Sequence, residues 1–414
     1  MKKKNKLISF ANAQKLMLGS IKKMKKTETI NLNVCTNRVL AQNIYSKFKI
    51  PEYNNAAVDG FAFNYNNLKK NKEKKLKLAG TSKPGMPFLG NLYQNQTIKI
   101  FTGSYLINKN QSTKFDTICM EEDCKILGNY VLFSKIPNKG SNIRLAGEDL
   151  KKEKLVFKKG YKIRSVDLAQ LSSLGVKKLK VYKKIKVGIF SSGNELISVS
   201  SSKKKFHIYD SNKLALLSLF NKIGCNTSDL GIIKDNFEET KKTILNSAND
   251  YDLIVTSGGI STSEIDQVGK ILSLYGKILF WKVAIKPGRP FAFGKIKNTP
   301  FIGLPGNPVA TVITFFMLVI NYVKKLSGIE KNEILERYLP SDFIMKKKKG
   351  RREWLRGTLI SKKNALKVKK FHTTGSGIIS SLSQSDGIIE LKEELTYISK
   401  GNLLKFYRYE DMLN

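Results

Sequence analysis

Four short polar segments with glycine or acidic residues come directly after apolar runs in the middle of the chain. They are residues 191–195, 234–235, 257–261 and 304–308. Glycine lets backbone amides approach an anion closely, and the N-terminus of a helix favours negative charge. A single Ser-Gly-Gly segment is usually only a turn, but four such segments after consecutive strands indicate a binding site for phosphate or another oxyanion.

Three carboxylates accompany these segments: Glu195, Asp235 and Asp266. Carboxylates beside a phosphate-binding loop would repel the phosphate and each other unless a hard cation such as Mg²⁺ shared their oxygens. The pattern therefore predicts a magnesium site formed by these three residues. The simpler interpretation is that some of them only cap helices, and Asp266 precedes a predicted helix.

Three basic residues, Lys282, Lys286 and Arg289, lie around a Pro287-Gly288 turn. Cations held beside a rigid turn are suited to binding an oxyanion. In a chain with so many lysines, a position on the solvated surface is an equally open interpretation for each of them.

The elements that must position these residues are apolar runs that alternate with helical patterns. Strands are predicted at 186–190, 229–233, 252–256, 279–285 and 300–304, and helices at 211–223, 237–248, 266–274 and 309–323. This alternation is typical of a parallel α/β sheet, in which the carboxyl ends of the strands share one ligand-binding edge. The apolar helix at 309–323 is too short to span a bilayer and is predicted to be buried.

The flanking segments have shorter elements. Apolar residues at helical spacing predict helices over 9–26 and 165–174. Strand-like runs at 76–78, 97–101, 117–120 and 130–133 predict a β-rich domain over about 46–150, and runs at 354–359, 387–391 and 403–407 predict a β domain in the tail.

The formal net charge of +41 raises the alternative of a nucleic-acid-binding protein. Only nine of the 74 basic residues are arginine, and the lysines are spread along the whole chain. Nucleic-acid readout instead enlists arginines and stacked aromatic side chains on one element. A lysine-rich solvated surface is therefore the favoured interpretation, and no nucleic-acid partner is expected.

The four cysteines, Cys35, Cys119, Cys124 and Cys225, do not form a paired metal or disulfide pattern. Zinc is therefore not expected, and a reducing cytoplasm is the expected compartment. The apolar run near the N-terminus is shorter than a signal peptide requires, and no membrane partner is expected.

Polar turns also mark the β-rich segment, at Asp59-Gly60, Thr102-Gly103 and residues 142–149. With residues 191–196, 209–212, 257–266, 286–288, 304–308 and 375–382, they form a series of motifs along essentially the whole chain. In identity and spacing this series resembles the molybdopterin molybdenumtransferases, the family that includes the E domain of gephyrin.

The resemblance implies a multidomain fold of α/β and β type in an elongated homodimer. Domain I would be discontinuous and helical, at 1–45 and 155–183, and domain II would be a β-rich insertion at 46–154. Domain III, at 184–335, would be a three-layer α/β domain that binds molybdopterin, and domain IV would be a C-terminal β domain at 336–414. The active site would be shared, with domain III of one subunit facing domain II of the other.

The resemblance also implies a magnesium-dependent reaction that consumes molybdopterin-adenylate and molybdate, releases AMP and forms the molybdenum cofactor. A transient contact with the molybdopterin adenylyltransferase is expected. Mapped by motif, the catalytic candidates are Asp59, Thr102, Asp149, Glu195, Asp235 and Asp266. The ligand-binding candidates are Ser192, Gly193, Ser257, Gly258, Gly259, Lys282, Lys286, Pro287, Gly288, Pro305, Gly306, Asn307 and Pro308, with Arg356, Ser380 and Ser381 as weaker candidates for oxyanion contact.

Several positions depart from the family's usual pattern. Asn54 and Asn194 stand where the family usually has aspartate, Ala56 where it has serine and Val58 where it has methionine. The loss of two carboxylates leaves the exact metal ligands open.

Two further alternatives are a binding scaffold that has lost catalysis and the related adenylyltransferase. The joint presence of Asp59, Asp235 and Asp266 favours an active enzyme over a scaffold. The adenylyltransferase resembles domain III alone, so the flanking segments argue against it.

Overall fold

The computed structural model describes residues 7–21, 26–107, 114–260, 267–330, 335–362 and 365–413. The chain divides into two compact units. The first comprises Met1–Ala41, Gly160–Leu168 and Lys177–Asn414, and the second comprises Gln42–Lys159 and Ala169–Val176.

A seven-stranded sheet forms the centre of the first unit. Its strands in chain order are β1 (Leu7–Ile8), β2 (Lys186–Ser192), β3 (Asn226–Ile233), β4 (Leu253–Ser257), β5 (Gly276–Val283), β6 (Pro290–Ile296) and β7 (Thr299–Leu304). The spatial order is β1-β5-β6-β7-β4-β2-β3. β2, β4 and β7 are buried along most or all of their length, as expected for strands covered on both faces.

The sheet is mixed, which corrects the prediction of a parallel sheet. β7, β4, β2 and β3 are parallel, but β6 is antiparallel to both β5 and β7. The segment after Pro287 and Gly288 returns the chain directly into β6, a strand that the sequence pattern did not predict. Because β6 is antiparallel to both of its neighbours, β5 and β7 run in the same direction. Their carboxyl ends therefore still share one edge with those of β4, β2 and β3.

Four helices pack around this sheet and are labelled α1 (Phe10–Gly19), α2 (Ser211–Lys222), α3 (Phe237–Asp250) and α4 (Gln267–Tyr275). Side chains at their N-termini explain three of the starts. Ser9 caps α1, Asp210 caps α2 and Asn236 caps α3, each by accepting a backbone N–H of the first turn. α1 ends at Gly19, well before the predicted residue 26.

The apolar helix spans Pro308–Leu326 and is longer than predicted. It is built from Pro308–Thr314, a π-helical segment Phe315–Val319, and Ile320–Leu326. Its length and composition would suffice to cross a membrane, but 78% of its most apolar stretch is buried inside the protein, as in the core helix of a globular protein. Pro308 occupies its first turn, where the missing N–H costs nothing.

The tail forms a six-stranded sheet in the same unit. Its strands are Ile285–Lys286, Arg337–Pro340, Arg352–Lys362, Ala365–Lys370, Gly387–Leu391 and Leu403–Arg408. Ile285–Lys286 pairs with the start of Arg352–Lys362, so this short strand joins the segment after β5 to the tail. The remaining pairs and helices of the unit are Thr27–Asn31 with Lys178–Tyr182, Leu196–Ile197 with Ile208–Tyr209, Met345–Lys346 with Tyr397–Ile398, the 3₁₀ turn Leu32–Val34, and the helices Ser380–Ser383 and Tyr409–Leu413.

The second unit is built on a six-stranded β-sheet, as its turn-rich sequence predicts. The strands are Gly60–Phe63, Lys75–Ser82, Gln96–Ile100, Thr117–Met120, Cys124–Leu127 and Tyr130–Phe133. Two small pairs accompany it, Ile44–Tyr45 with Leu155–Phe157 and Asn55–Ala56 with Ile143–Arg144, together with the helix Tyr65–Lys70 and the 3₁₀ turn Glu121–Asp123. The helix Asp167–Ser173 lies where the two units meet in sequence.

Candidate active site

A cavity of about 510 Å³ opens at the carboxyl edge of the central sheet. Its walls come from the segments after β2, β4, β5 and β7, and from the tail. The sequence-predicted residues in its lining are Ser192, Glu195, Ser257, Gly258, Gly259, Lys286, Pro287, Gly288, Pro305, Gly306 and Asn307. Four other candidates lie outside that lining, next to or close to a residue within it: Gly193, Lys282, Asp235 and Pro308.

Two glycine-bearing loops form one wall of the cavity. Gly258 and Gly259 after β4 have left-handed φ values of +83° and +67°, which glycine adopts without strain. A β-carbon on Gly258 would lie 2.6 Å from the carbonyl oxygen of Ser192, so the close approach of the two strand ends also requires glycine there. The Gly258 amide donates to the Leu304 carbonyl at 3.1 Å, which ties this loop to the end of β7.

The loop after β7 leads into the buried helix Pro308–Leu326. Pro305, Gly306 and Asn307 line the cavity just before the first helical turn. The positive end of a helix dipole therefore lies at this side of the cavity, an arrangement that favours a bound anion.

A second wall carries acidic residues. Glu195 lines the cavity, and the hydroxyl of Ser192 donates to Asp235 Oδ1 at 3.4 Å. The backbone amide of Asp235 donates to Asn194 Oδ1 at 3.1 Å, so Asn194 orders the segment in which it replaces the family's usual aspartate. The structure therefore brings Glu195 and Asp235 to the same edge of the sheet.

Asp210 is an acid of the cavity wall that sequence reasoning did not select. It is 5% exposed, and its Oδ1 caps α2 by accepting the Lys213 amide at 3.1 Å. Its buried Oδ2 has no hydrogen-bond partner in the part of the chain that the structure describes, and the Lys213 ammonium lies 3.9 Å away. The Asp-Ser-Asn segment at 210–212 was a recognisable motif, but its burial could not be read from the sequence.

The basic residues around the Pro287-Gly288 turn differ in their surroundings. Lys286 lines the cavity and its ammonium pairs with Glu353 Oε2 at 3.2 Å; the Glu353 side chain is 4% exposed. Arg289 also lines the cavity, whereas Lys282 lies within β5. Gly288 has φ +95°, and a β-carbon there would lie 2.3 Å from Thr314 Cγ2, so this turn accepts only glycine.

The tail closes the cavity with Arg351, Thr374 and Ser376. Ser376 lies in the 375–382 motif, but none of the three was selected as a site residue from the sequence. The loop that carries Thr374 and Ser376 is held by Arg356, whose guanidinium donates to the Thr373 and Gly375 carbonyls at 3.3 and 3.1 Å.

Arg356 itself is 2% exposed and also donates to Ser381 Oγ at 2.9 Å. Burial lowers the pKa of this guanidinium. The side chain that was predicted to contact an oxyanion is thus engaged in ordering the loop, together with Ser381. Ser380 begins the short helix Ser380–Ser383.

In the second unit, Asp59 and Thr102 form an exposed pair. The backbone amide and the hydroxyl of Thr102 both donate to Asp59 Oδ1, each at 2.7 Å. These two hydrogen bonds, with the Lys99 charge as a smaller cause, lower the pKa of Asp59. The carboxylate therefore stays ionised at neutral pH and has a fixed orientation.

The residue after Asp59 can only be glycine. A β-carbon on Gly60 would lie 1.9 Å from the Cys119 carbonyl oxygen, which belongs to the neighbouring strand. Asp149, the third catalytic candidate of this unit, is exposed, and its amide donates to the Ile50 carbonyl at 3.1 Å.

Within the described ranges, which omit 261–266, no group of three or more His, Cys, Asp or Glu residues forms a metal cluster. Asp266 lies in the omitted segment, so the predicted trio of Glu195, Asp235 and Asp266 stays a prediction.

Comparison with known proteins accounts for all parts of this architecture. Residues 8–175 match the MoeA N-terminal region with domains I and II, residues 188–325 match a probable molybdopterin binding domain, and residues 338–409 match the MoeA C-terminal region, domain IV.

Relatives and solved structures cover nearly the full length. The chain is 33% identical to the molybdopterin molybdenumtransferase of Haemophilus influenzae, over 98% of this chain and 100% of that protein. It is 31% identical to a putative molybdopterin biosynthesis protein of Methanocaldococcus jannaschii, over 97% and 98%. The crystal structure of the molybdopterin biosynthesis MoeA protein of Pyrococcus horikoshii superposes with a TM-score of 0.84 at 27% identity, over 98% of this chain and 100% of that one.

The fold and the cavity therefore define a protein built around a molybdopterin-binding domain, with a β-rich unit before it and a β domain after it. This chain belongs to the molybdopterin molybdenumtransferase family, the MoeA proteins.

Proposed function

We propose that this chain inserts molybdate into adenylylated molybdopterin, releasing AMP and forming the molybdenum cofactor. The observation that carries the proposal is the single cavity wall formed by the Ser257-Gly258-Gly259 and Pro305-Gly306-Asn307 loops. Glycine-rich backbone beside a helix N-terminus binds phosphate, and the adenylated pterin carries a pyrophosphate link. Arg289, Lys286 and Arg351 add cations to the same cavity for molybdate or phosphate oxygens.

The acidic wall fits a divalent cation such as Mg²⁺. Glu195 and Asp235 offer carboxylate oxygens at one edge, and the buried Oδ2 of Asp210 in the cavity wall accepts no hydrogen bond from the described residues. Carboxylate oxygens are the ligands that magnesium takes in proteins. We propose that Glu195, Asp235 and Asp266 hold the ion, which when bound would offset the negative charge that develops as the pyrophosphate link breaks.

The direct test measures AMP and active cofactor after purified protein is incubated with molybdopterin-adenylate, molybdate and Mg²⁺. We expect AMP release by the wild type to require Mg²⁺ and to be abolished by Asp266→Asn. Asp250→Asn, at the exposed end of α3, is the matched control and should remain active. AMP release by Asp266→Asn at the wild-type rate would remove that residue from the proposed site.

We further propose a homodimer in which Asp59 and Thr102 of one subunit serve the cavity of the other. The support is the family resemblance and the presence of a second preorganised acid far from the cavity residues in sequence. The proposed setting is a reducing cytoplasm, which suits four free thiols. A transient contact with the molybdopterin adenylyltransferase would pass on the adenylated pterin.

Complementation tests the shared site. Dimers of Asp59→Ala and dimers of Asp266→Asn should each be inactive. A mixed dimer of the two variants would contain one intact site and one doubly damaged site, so about half of the wild-type activity per dimer should return. Mixed dimers without recovered activity would contradict the shared arrangement.

A further inference from the structure

Asn212, in the first turn of α2, bridges the two glycine-bearing loops of the cavity. One Nδ2–H donates to Ser257 Oγ at 2.9 Å and the other donates to the Gly306 carbonyl at 2.7 Å. Ser257 precedes Gly258 after β4, and Gly306 lies between Pro305 and Asn307 after β7. One amide group therefore holds both loops, 45 and 94 residues away along the chain.

The bridge extends through Ser257. Its hydroxyl accepts from Asn212 and donates to the Pro305 carbonyl at 3.3 Å, so the hydrogen bonds run from α2 to one loop and on to the other. α2 is itself fixed at this end, because Asp210 caps it with the hydrogen bond to the Lys213 amide. The bridge thus rests on a rigid helix end.

An amide with two N–H donors is the group that this position requires. Both acceptors are oxygens, and the short distances leave no room for a longer side chain. Aspartate has nearly the same shape but has no N–H, so it would bring an oxygen against the Gly306 carbonyl. Alanine would remove the bridge from α2 and leave only the direct hydrogen bonds between the two loops, from Ser257 Oγ to the Pro305 carbonyl and from the Gly258 amide to the Leu304 carbonyl.

We infer that Asn212 is a positioning residue that sets the spacing of the two anion-binding loops and so acts on the bound pyrophosphate through them. For its kinetic readout this inference rests on the proposed function. Loops that move independently must be ordered again at each binding event, and preorganisation is what a bridge of this kind supplies. Its loss should therefore weaken substrate capture and leave the overall fold intact.

The first experiment needs no substrate. Hydrogen exchange of the segments around Gly258 and Gly306 is measured in the wild type, Asn212→Ala and Asn221→Ala. Asn221 is the control, since it lies in the last turn of the same helix and its side chain accepts from Thr227 Oγ1. We expect roughly ten-fold faster exchange in both loops for Asn212→Ala only, the factor that corresponds to the loss of about one net hydrogen bond. Unchanged exchange would overturn the inference.

The second experiment measures kcat and KM for AMP release. Asn212→Ala should raise KM for molybdopterin-adenylate by about ten-fold with a smaller change in kcat, and Asn212→Asp should be worse. The double variant Asn212→Ala, Ser257→Ala should raise KM by less than the product of the two single increases, because both residues belong to one bridge.

The outcomes separate the two proposals. A wild type that releases no AMP would count against the proposed function, while the exchange experiment would still decide the role of Asn212. If the wild type is active and Asn212→Ala has an unchanged KM, the positioning role of Asn212 is contradicted and the proposed function is not.

Discussion

The buried ammonium of Lys324 predicts a specific pH dependence of folding stability. Lys324 lies in the helix Pro308–Leu326, is 6% exposed, and donates to the Met412 carbonyl at 3.1 Å. Burial lowers its pKa from 10.5 to about 8, with the Lys162 charge as the second cause. At neutral pH this poorly solvated charge therefore lowers the free energy of unfolding.

The sign follows from proton linkage. In the unfolded chain Lys324 titrates near its ordinary pKa, so between pH 8 and 10.5 the unfolded state binds more protons than the folded state. The free energy of unfolding must then rise with pH across this interval, and the full cost is present below pH 8. The size of the shift corresponds to about 3 kcal/mol between the two limits.

The measurement is urea unfolding of the wild type, Lys324→Met and Lys325→Met at pH 7 and pH 10. Many other lysines titrate at pH 10, so only the change in the difference between variant and wild type isolates Lys324. The free energy of unfolding of Lys324→Met minus that of the wild type should fall by about 2–3 kcal/mol from pH 7 to pH 10. The exposed neighbour Lys325 should show no such change. Parallel pH profiles for the wild type and Lys324→Met would refute the claim that this ammonium is desolvated.

Two further predictions concern the second unit and a loop near the cavity. Thr102→Val removes the hydroxyl that is the main cause of the lowered pKa of Asp59. The carboxyl pKa followed by NMR should therefore rise, with any acidic limb of activity moving to higher pH, whereas Thr102→Ser should leave it in place. Phe206 is 87% exposed with φ +61°, a conformation that costs a residue with a β-carbon about 1–2 kcal/mol. Phe206→Gly should stabilise the protein by roughly 0.5 kcal/mol after the entropy cost of glycine, Phe206→Ala should not, and equal calorimetric Tm values for both would contradict the strain.

Much of the fold could be predicted because its elements carry local signals. The strands at 117–120, 130–133 and 387–391 are found at the predicted bounds, and α2 and α3 begin at their capping residues. The helix 9–26 was predicted too long because its apolar spacing continues past Gly19, where the helix ends. β6 was missed because a buried antiparallel strand directly after a Pro-Gly turn has no helix before it to mark its start.

Only part of the cavity lining could be predicted from local sequence patterns. Glycine-bearing loops after strands are visible in the sequence, and the common direction of the strands brings them to one edge. The contribution of Ser376 depends on contacts between distant parts of the chain, because the Asn307 side chain donates to Ser376 Oγ at 3.2 Å and the Val309 amide donates to the Ser376 carbonyl at 3.2 Å. No spacing rule links those residues, and the role of Arg356 in ordering their loop depends on burial.

Local hydrogen bonds within each unit orient the candidate acids, so the proposed chemistry can be tested without unfolding the protein. Asp235 is oriented by Ser192 and Asn194 within the first unit, and Asp59 is oriented by Thr102 within the second. Asp59 and Thr102 are both exposed, so replacing Asp59 removes two surface hydrogen bonds and no core contact. Such a change costs little stability. A loss of AMP release in Asp59→Ala with an unchanged Tm would therefore report on chemistry, which is the condition that the mixed-dimer experiment needs.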